Sequence, residues 1–195
     1  MYKKQMGFQK LICILALVAG FVVFLYSLGN MTDLYDCLYS TMMDPTDPTV
    51  TFVPGSIVYY NMQGFNRTFL SASIVMLLLA CLLFVTQTSN RRRYYVGNYV
   101  AIGLFSVFTL AMVIWGHFQI QIYRSQWLQV DFEALASFSQ MFKTKYTEST
   151  FWFDIHYAVF GICLAEVALL IGNAVWKIRL MKAEAELLAK GGKAV

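Results

Sequence analysis

Residues 153–176 read FDIHYAVFGICLAEVALLIGNAVW: Asp154 stands at one edge, Glu166 in the middle, and there is no lysine or arginine. A helix needs about 20 apolar residues to cross a hydrocarbon core about 30 Å thick, so this stretch predicts a membrane span. Three others share its character, at about 11–28, 68–86 and 97–117. Lipid offers no hydrogen bonds to a peptide backbone, so such segments must be helical. The reading is an all-α integral membrane protein, one membrane domain over 1–195. It is an antiparallel four-helix transmembrane bundle with outer loops at 29–67 and 118–152 and a cytoplasmic helical tail at 177–190.

Projected at 100° per residue, residues 153–176 divide into three faces. Ala158, Gly161, Ala165, Ala168 and Gly172 form a small-residue stripe of the kind that lets helices approach closely in lipid. Phe160, Leu164, Val167 and Ile171 form a bulky stripe expected to face lipid. Glu166 and Asn173 fall on a third face, with Cys163 and His156 at its edge. A central carboxyl costs about 2.5–3.5 kcal/mol on insertion scales, and burial there favours the neutral acid. Ser106 and Thr109 on the third span lie at matching depth, so Glu166, Asn173, Ser106 and Thr109 form a candidate intramembrane polar site. Ala16 with Gly20 and Gly97 with Ala101 offer further close helix contacts.

Basic residues set the expected sidedness. Lys3, Lys4, Lys10, Arg91, Arg92, Arg93, Lys177, Arg179, Lys182, Lys190 and Lys193 fall on one side, against Arg67, Arg124, Lys143 and Lys145 on the other. Both termini are therefore expected in the cytoplasm, in a plasma (inner) membrane. The net charge of +4 then reflects topology and gives no reason to expect nucleic acid. Arg91, Arg92 and Arg93 are candidate contacts for lipid headgroups. Ser27-Leu28-Gly29 has cleavage-like small residues, but the apolar run before it exceeds the roughly 7–15 residues of a signal peptide, so an uncleaved span is expected.

The outer loops look folded. Leu34, Leu38 and Met42 recur at helical spacing, and Thr49–Val53 with Ser56–Tyr60 around Pro54-Gly55 read as a small β-hairpin over 49–60, although Pro-Gly favours a type II turn. Residues 131–143 read as an amphipathic helix with Phe132, Leu135, Phe138, Met141 and Phe142 on one face. The acids Asp33, Asp36, Asp44 and Asp47 lack the spacing of a calcium loop and read as a solvated surface. Asn30-Met31-Thr32 and Asn66-Arg67-Thr68 match the glycosylation pattern but lie too near span ends to be expected acceptors.

The chain has no phosphate loop, nucleophile elbow or paired-cysteine motif, and no enzyme activity or cofactor is expected. Cys37 alone lies in an outer loop, so no disulfide framework is available there. His117 and His156 fall near the outer boundary at similar depth and are the one pairing that suggests haem or metal; Trp115 and Trp152 beside them favour an aromatic interface belt with wet imidazoles. Three functions stay open. The leading one is a non-catalytic accessory or assembly subunit of a larger membrane complex, such as a transporter or secretion system, with an integral-membrane partner or a second copy. The others are a small oligomeric proton-coupled transporter or channel using Glu166, and a membrane haem or redox protein using His117 and His156.

Overall fold

The computed structural model describes residues 2–32, 43–44, 47–51, 53–88, 96–142 and 147–191. Its long helices are α1 (Tyr2–Thr32), α2 (Ile57–Thr88), α3 (Val96–Trp127) and α6 (His156–Gly191). Two shorter helices, α4 (Phe132–Phe142) and α5 (Phe151–Asp154), lie between α3 and α6. A short antiparallel ladder pairs β1 (Met43–Asp44) with β2 (Asp47–Thr51). Four helical segments, Lys4–Met31, Ile57–Gln87, Val96–Trp127 and Phe151–Lys190, are long and apolar enough to cross a membrane.

Each helix packs against its neighbours in the cyclic order α1, α2, α3, α6. Chain ends and the α2–α3 connection share one end of the bundle, called here the terminal end; the longer connections share the loop end. A helix of this length rises about 45–55 Å at 1.5 Å per residue, so it exceeds a core about 30 Å thick at both ends.

Polarity is distributed as it would be for an apolar solvent. Leu78, Val107 and Phe118 are 63%, 69% and 63% exposed, whereas Gln5, Gln9, Asn98, Glu166, Asn173 and Lys177 are all buried. In water the hydrophobic effect would select the reverse. Lys177, counted above among the basic residues that set topology, is thus an interior residue at 1% exposure. The cationic bias of the terminal end rests on its other members.

Small residues act where helices touch most closely. A Cβ on Gly20 would stand 3.3 Å from Leu77 of α2, and Ala16 is fully buried. Ser27 shares a 3.0 Å hydrogen bond with Ser73, and a Cβ on Gly29 would run into the Trp152 ring. The cleavage-like trio is therefore packing material in α1. Ala101 is buried, but Gly97 faces open space. Asn66 donates to the Asn30 carbonyl and both side chains are buried, which removes both glycosylation matches from the surface.

The hairpin expected over 49–60 is not formed there. Its second half, Ser56–Tyr60, leads into α2, because Val58, Tyr59, Met62, Phe65, Asn66 and Phe69 are buried at helical spacing. A five-residue window rich in β-branched residues hid that longer period. Only the turn is as expected. The Ser56 amide donates to the Val53 carbonyl at 3.2 Å, and Gly55 has φ +82°, the type II geometry for Pro-Gly. That turn docks on the end of α3, where the Asp131 amide donates to the Pro54 carbonyl at 3.1 Å.

Asp131 also caps α4 by accepting from the Ala134 amide at 2.9 Å. On α4, Leu135 and Ser139 point inward with Phe132 and Phe138 partly covered, but Met141 is 75% exposed. The apolar face is therefore narrower than expected. An aromatic knot of Tyr59, Trp127, Phe132 and Phe153 ties α2, α3, α4 and α5 together beneath it. Leu34, Leu38, Asp33, Asp36, Met42, Arg91, Arg92, Arg93, Lys143 and Lys145 lie outside the described residues.

Candidate functional site

On the inner face of α6 the buried residues are His156, Val159, Cys163, Glu166, Leu170, Asn173 and Lys177, spaced alternately by three and four. That alternation is the seam of a helix packed lengthwise into a bundle. The seam, and not the small-residue stripe, is what α6 presents to its own chain. Ala158, Gly161, Ala165, Ala168 and Gly172 are all exposed, and a Cβ on Gly161 or Gly172 would meet nothing within 4 Å. Their expected packing role is therefore not exercised within this chain. Phe160 and Val167 correct the bulky stripe in the opposite sense: both are buried, while Leu164 and Ile171 stay exposed.

At the terminal end the seam enters a hydrogen-bonded network drawn from all four long helices. Gln5 donates through Nε2 to Gln9 Oε1 and to Asn173 Oδ1, each at 3.1 Å. Gln9 Nε2 donates to Asn98 Oδ1 at 2.6 Å, and Lys177 Nζ reaches the same oxygen at 3.4 Å. Asn98 Nδ2 donates to Thr86 Oγ1 at 3.4 Å. The Lys177 ammonium also stands 5.1 Å from the centre of the Tyr99 ring. Gln5, Gln9, Thr86, Asn98 and Lys177 escape a sequence reading because they lie at span edges, where polar residues are ordinarily wet. The four-residue spacing of Gln5 and Gln9 was the available signal.

Midway along the seam the polar groups are buried without partners. Glu166 Oε1, Ser106 Oγ, Thr109 Oγ1 and Asn173 Nδ2 make no hydrogen bond. Contacts of His117 with His156 and of Asn98 with Lys177 fix the antiparallel register of α3 against α6. That register sets Glu166 level with the turn of α3 bearing Ser106 and Thr109. The structure thus gathers Glu166, Ser106 and Thr109 into one layer, and Cys13 of α1 and Cys163 are buried in the same interior. Asn173 lies two turns nearer the terminal end.

At the loop end His117 Nδ1 and His156 Nε2 are 3.0 Å apart. His156 Nδ1 bonds the Phe153 carbonyl, which can only accept, so Nδ1 carries the hydrogen and Nε2 of the neutral ring accepts from His117. His156 is fully buried, and the wet imidazole expected there is corrected accordingly. The two rings bond each other directly, which leaves no gap for a macrocycle between them. Trp115 packs on Phe65 and Trp152 on Tyr26, and both indoles are partly buried against the core. Among the described residues no three His, Cys, Asp or Glu side chains group as a metal site.

Comparison with family models, characterised proteins and solved structures gives no match to this chain.

Proposed function

We propose that the chain is a non-catalytic accessory or assembly subunit of a larger membrane complex, resident in a plasma membrane with both termini cytoplasmic. One observation carries the reading: the small-residue face of α6 is turned away from its own bundle. It runs from Ala158 to Gly172, about 21 Å at 1.5 Å per residue. Exposed Leu164 and Ile171 rise on one flank and exposed Ile162 and Leu169 on the other, so the stripe is the floor of a groove between two ridges. A groove of that form receives a ridge of another helix at close range. Lipid chains gain nothing from glycine and alanine at these places, whereas a helix backbone does. The terminal-end hydrogen bonds among Gln5, Gln9, Thr86, Asn98, Asn173 and Lys177 are all made within the chain, so the packing of the four helices leaves this face to spare. The cytoplasmic placement of the termini rests on Lys4, Lys10, Arg179, Lys182 and Lys190 against Arg67 and Arg124. A transporter or secretion system is the class of complex this reading favours.

The test uses the room above Gly161. Because a side chain there meets nothing in the monomer, Gly161→Leu should leave the helix content and thermal stability of the isolated chain unchanged. Purified in mild detergent, the parent chain should bring a distinct integral-membrane protein with it, identified by mass spectrometry, and Gly161→Leu should lose that protein. A monomer alone, a homo-oligomer alone, or equal recovery from both versions overturns the proposal.

A further inference from the structure

Among the described residues eight buried side-chain atoms lack a hydrogen bond: Tyr59 Oη, Asn66 Oδ1, Gln87 Oε1 and Trp127 Nε1 lie toward the two ends of the bundle, and the other four lie on α3 and α6 between them. Ser106 Oγ, Thr109 Oγ1 and Glu166 Oε1 share one layer between α3 and α6, and Asn173 Nδ2 follows toward the terminal end. Each residue is at least nine-tenths buried, at 6%, 0%, 4% and 2% exposure. Buried polar atoms are rarely left unpaired, and ordered water is their usual partner when the chain supplies none. Glu166 and Asn173 are seven residues apart, about 10 Å along the helix, a separation that two or three waters bridge.

The two directions away from Glu166 differ. Toward the terminal end, polar groups continue: Asn173 bonds Gln5, Gln5 bonds Gln9, and Gln9 bonds Asn98. Toward the loop end, the interior is closed by aromatic rings. Tyr26 lies 5.8 Å from Phe69, Phe69 lies 5.5 Å from Phe65 and 6.0 Å from Phe160, and these rings separate Glu166 from the histidine pair. The groups that face this layer include Cys13 from α1 and Cys163 from α6 as ionisable neighbours. On α2 the buried Met76, Ala80 and Leu83 carry no titratable group, and α3 contributes Ser106 and Thr109, which do not titrate in this range. Lys177 is the nearest cation on the seam, eleven residues further along.

We infer that Glu166 is a proton-binding site, hydrated through Ser106, Thr109 and Asn173, that exchanges protons with the terminal end of the bundle and is sealed from the loop end. Water at the terminal end supplies the proton, the Glu166 carboxylate takes it, and the same path returns it. The two ends of the molecule therefore differ in their access to one buried acid. This holds whether or not the outer groove of α6 docks a partner.

Infrared spectroscopy of the full chain in lipid bilayers tests it. The parent should show the carbonyl band of a protonated acid, absent in Glu166→Gln, which shifts when the water is exchanged for deuterium oxide. Asn173→Leu should keep the band and slow its shift by an order of magnitude or more. Should that variant misfold, the parent in vesicles of uniform orientation decides the matter: a pH jump on the terminal face should change the band promptly, and a jump on the loop face should not. Spectra of parent and Glu166→Gln that coincide at every pH overturn the inference. So does exchange that is unchanged in a folded Asn173→Leu, or equal response from both faces.

Discussion

Asn98→Leu is the substitution on which the terminal-end network can be judged. The Asn98 carboxamide oxygen accepts from Gln9 at 2.6 Å and from Lys177 at 3.4 Å, and its nitrogen donates to Thr86 at 3.4 Å. Leucine is close in size, so the change removes three interhelical bonds with little loss of volume. Such bonds average about 0.6 kcal/mol in lipid and reach about 1.7. Taking the short bond near the upper figure and the two long ones near the mean gives about 3 kcal/mol. No gain in hydrophobic burial offsets it, because the bilayer is itself apolar. Part of the cost comes from the Gln9 amide, which is buried and loses its acceptor. Gln9→Leu alone strands Asn98 and also removes the acceptor of Gln5 Nε2, so the double variant should lose about 1 kcal/mol less than the sum of the two single losses. Reversible unfolding in mixed detergent micelles, followed by circular dichroism, measures both quantities. An Asn98→Leu protein within about 0.5 kcal/mol of the parent, or a double variant that loses the sum of both single losses, would refute the reasoning.

Two further perturbations bracket that result. Gly29→Ala drives a methyl group into the Trp152 ring, so the indole or α1 must shift, and a loss of about 1–3 kcal/mol is expected in the same unfolding assay; a neutral outcome would mean that Gly29 and the Trp152 ring are not in contact. Arg124→Ala removes the 2.9 Å ion pair with Asp154, but both side chains are more than a third open to solvent or nearly so, at 34% and 45%, and the change should stay below about 1 kcal/mol; a larger loss would show that this pair, not the aromatic knot, holds α3 to α5.

The four long helices could be read from the chain because span length and absence of charge are properties of single segments. The polar layer of Glu166, Ser106 and Thr109 could be read too, since depth along a helix follows from residue count alone. What a single segment cannot reveal is which of its faces the rest of the chain will cover. The three faces of the fourth span follow from the helical projection; the bulky face is expected to meet lipid, and the projection leaves open whether the small-residue face packs within the bundle or on another chain. The seam of His156, Val159, Cys163, Glu166, Leu170, Asn173 and Lys177 takes the inside. Its three-four alternation was present in the sequence, but mixed polarity disguised it: Lys177 looked like a cytoplasmic charge and His156 like an interfacial ring. Ser56–Tyr60 failed for a related reason, because a strand-like composition over five residues was the start of a 32-residue helix. Gly55 and Asp131 were legible at the level of the local turn and cap, and their docking on distant residues was not.

The terminal-end network and the Glu166 layer differ in character. Terminal-end groups bond one another across all four long helices, and an array of that kind fixes helix register at the cost of mobility. Glu166, Ser106 and Thr109, by contrast, keep unspent hydrogen-bonding capacity in a place where an unpaired polar atom is costly. A chain that needed only a stable bundle would gain by replacing Glu166 with leucine, which fits the same seam position and carries no such cost. The carboxyl therefore makes sense as a group with a partner that comes and goes, and a proton arriving from the side of the Asn173 network is the smallest partner that meets the geometry. The outer groove of α6 and this inner acid lie on opposite faces of one helix.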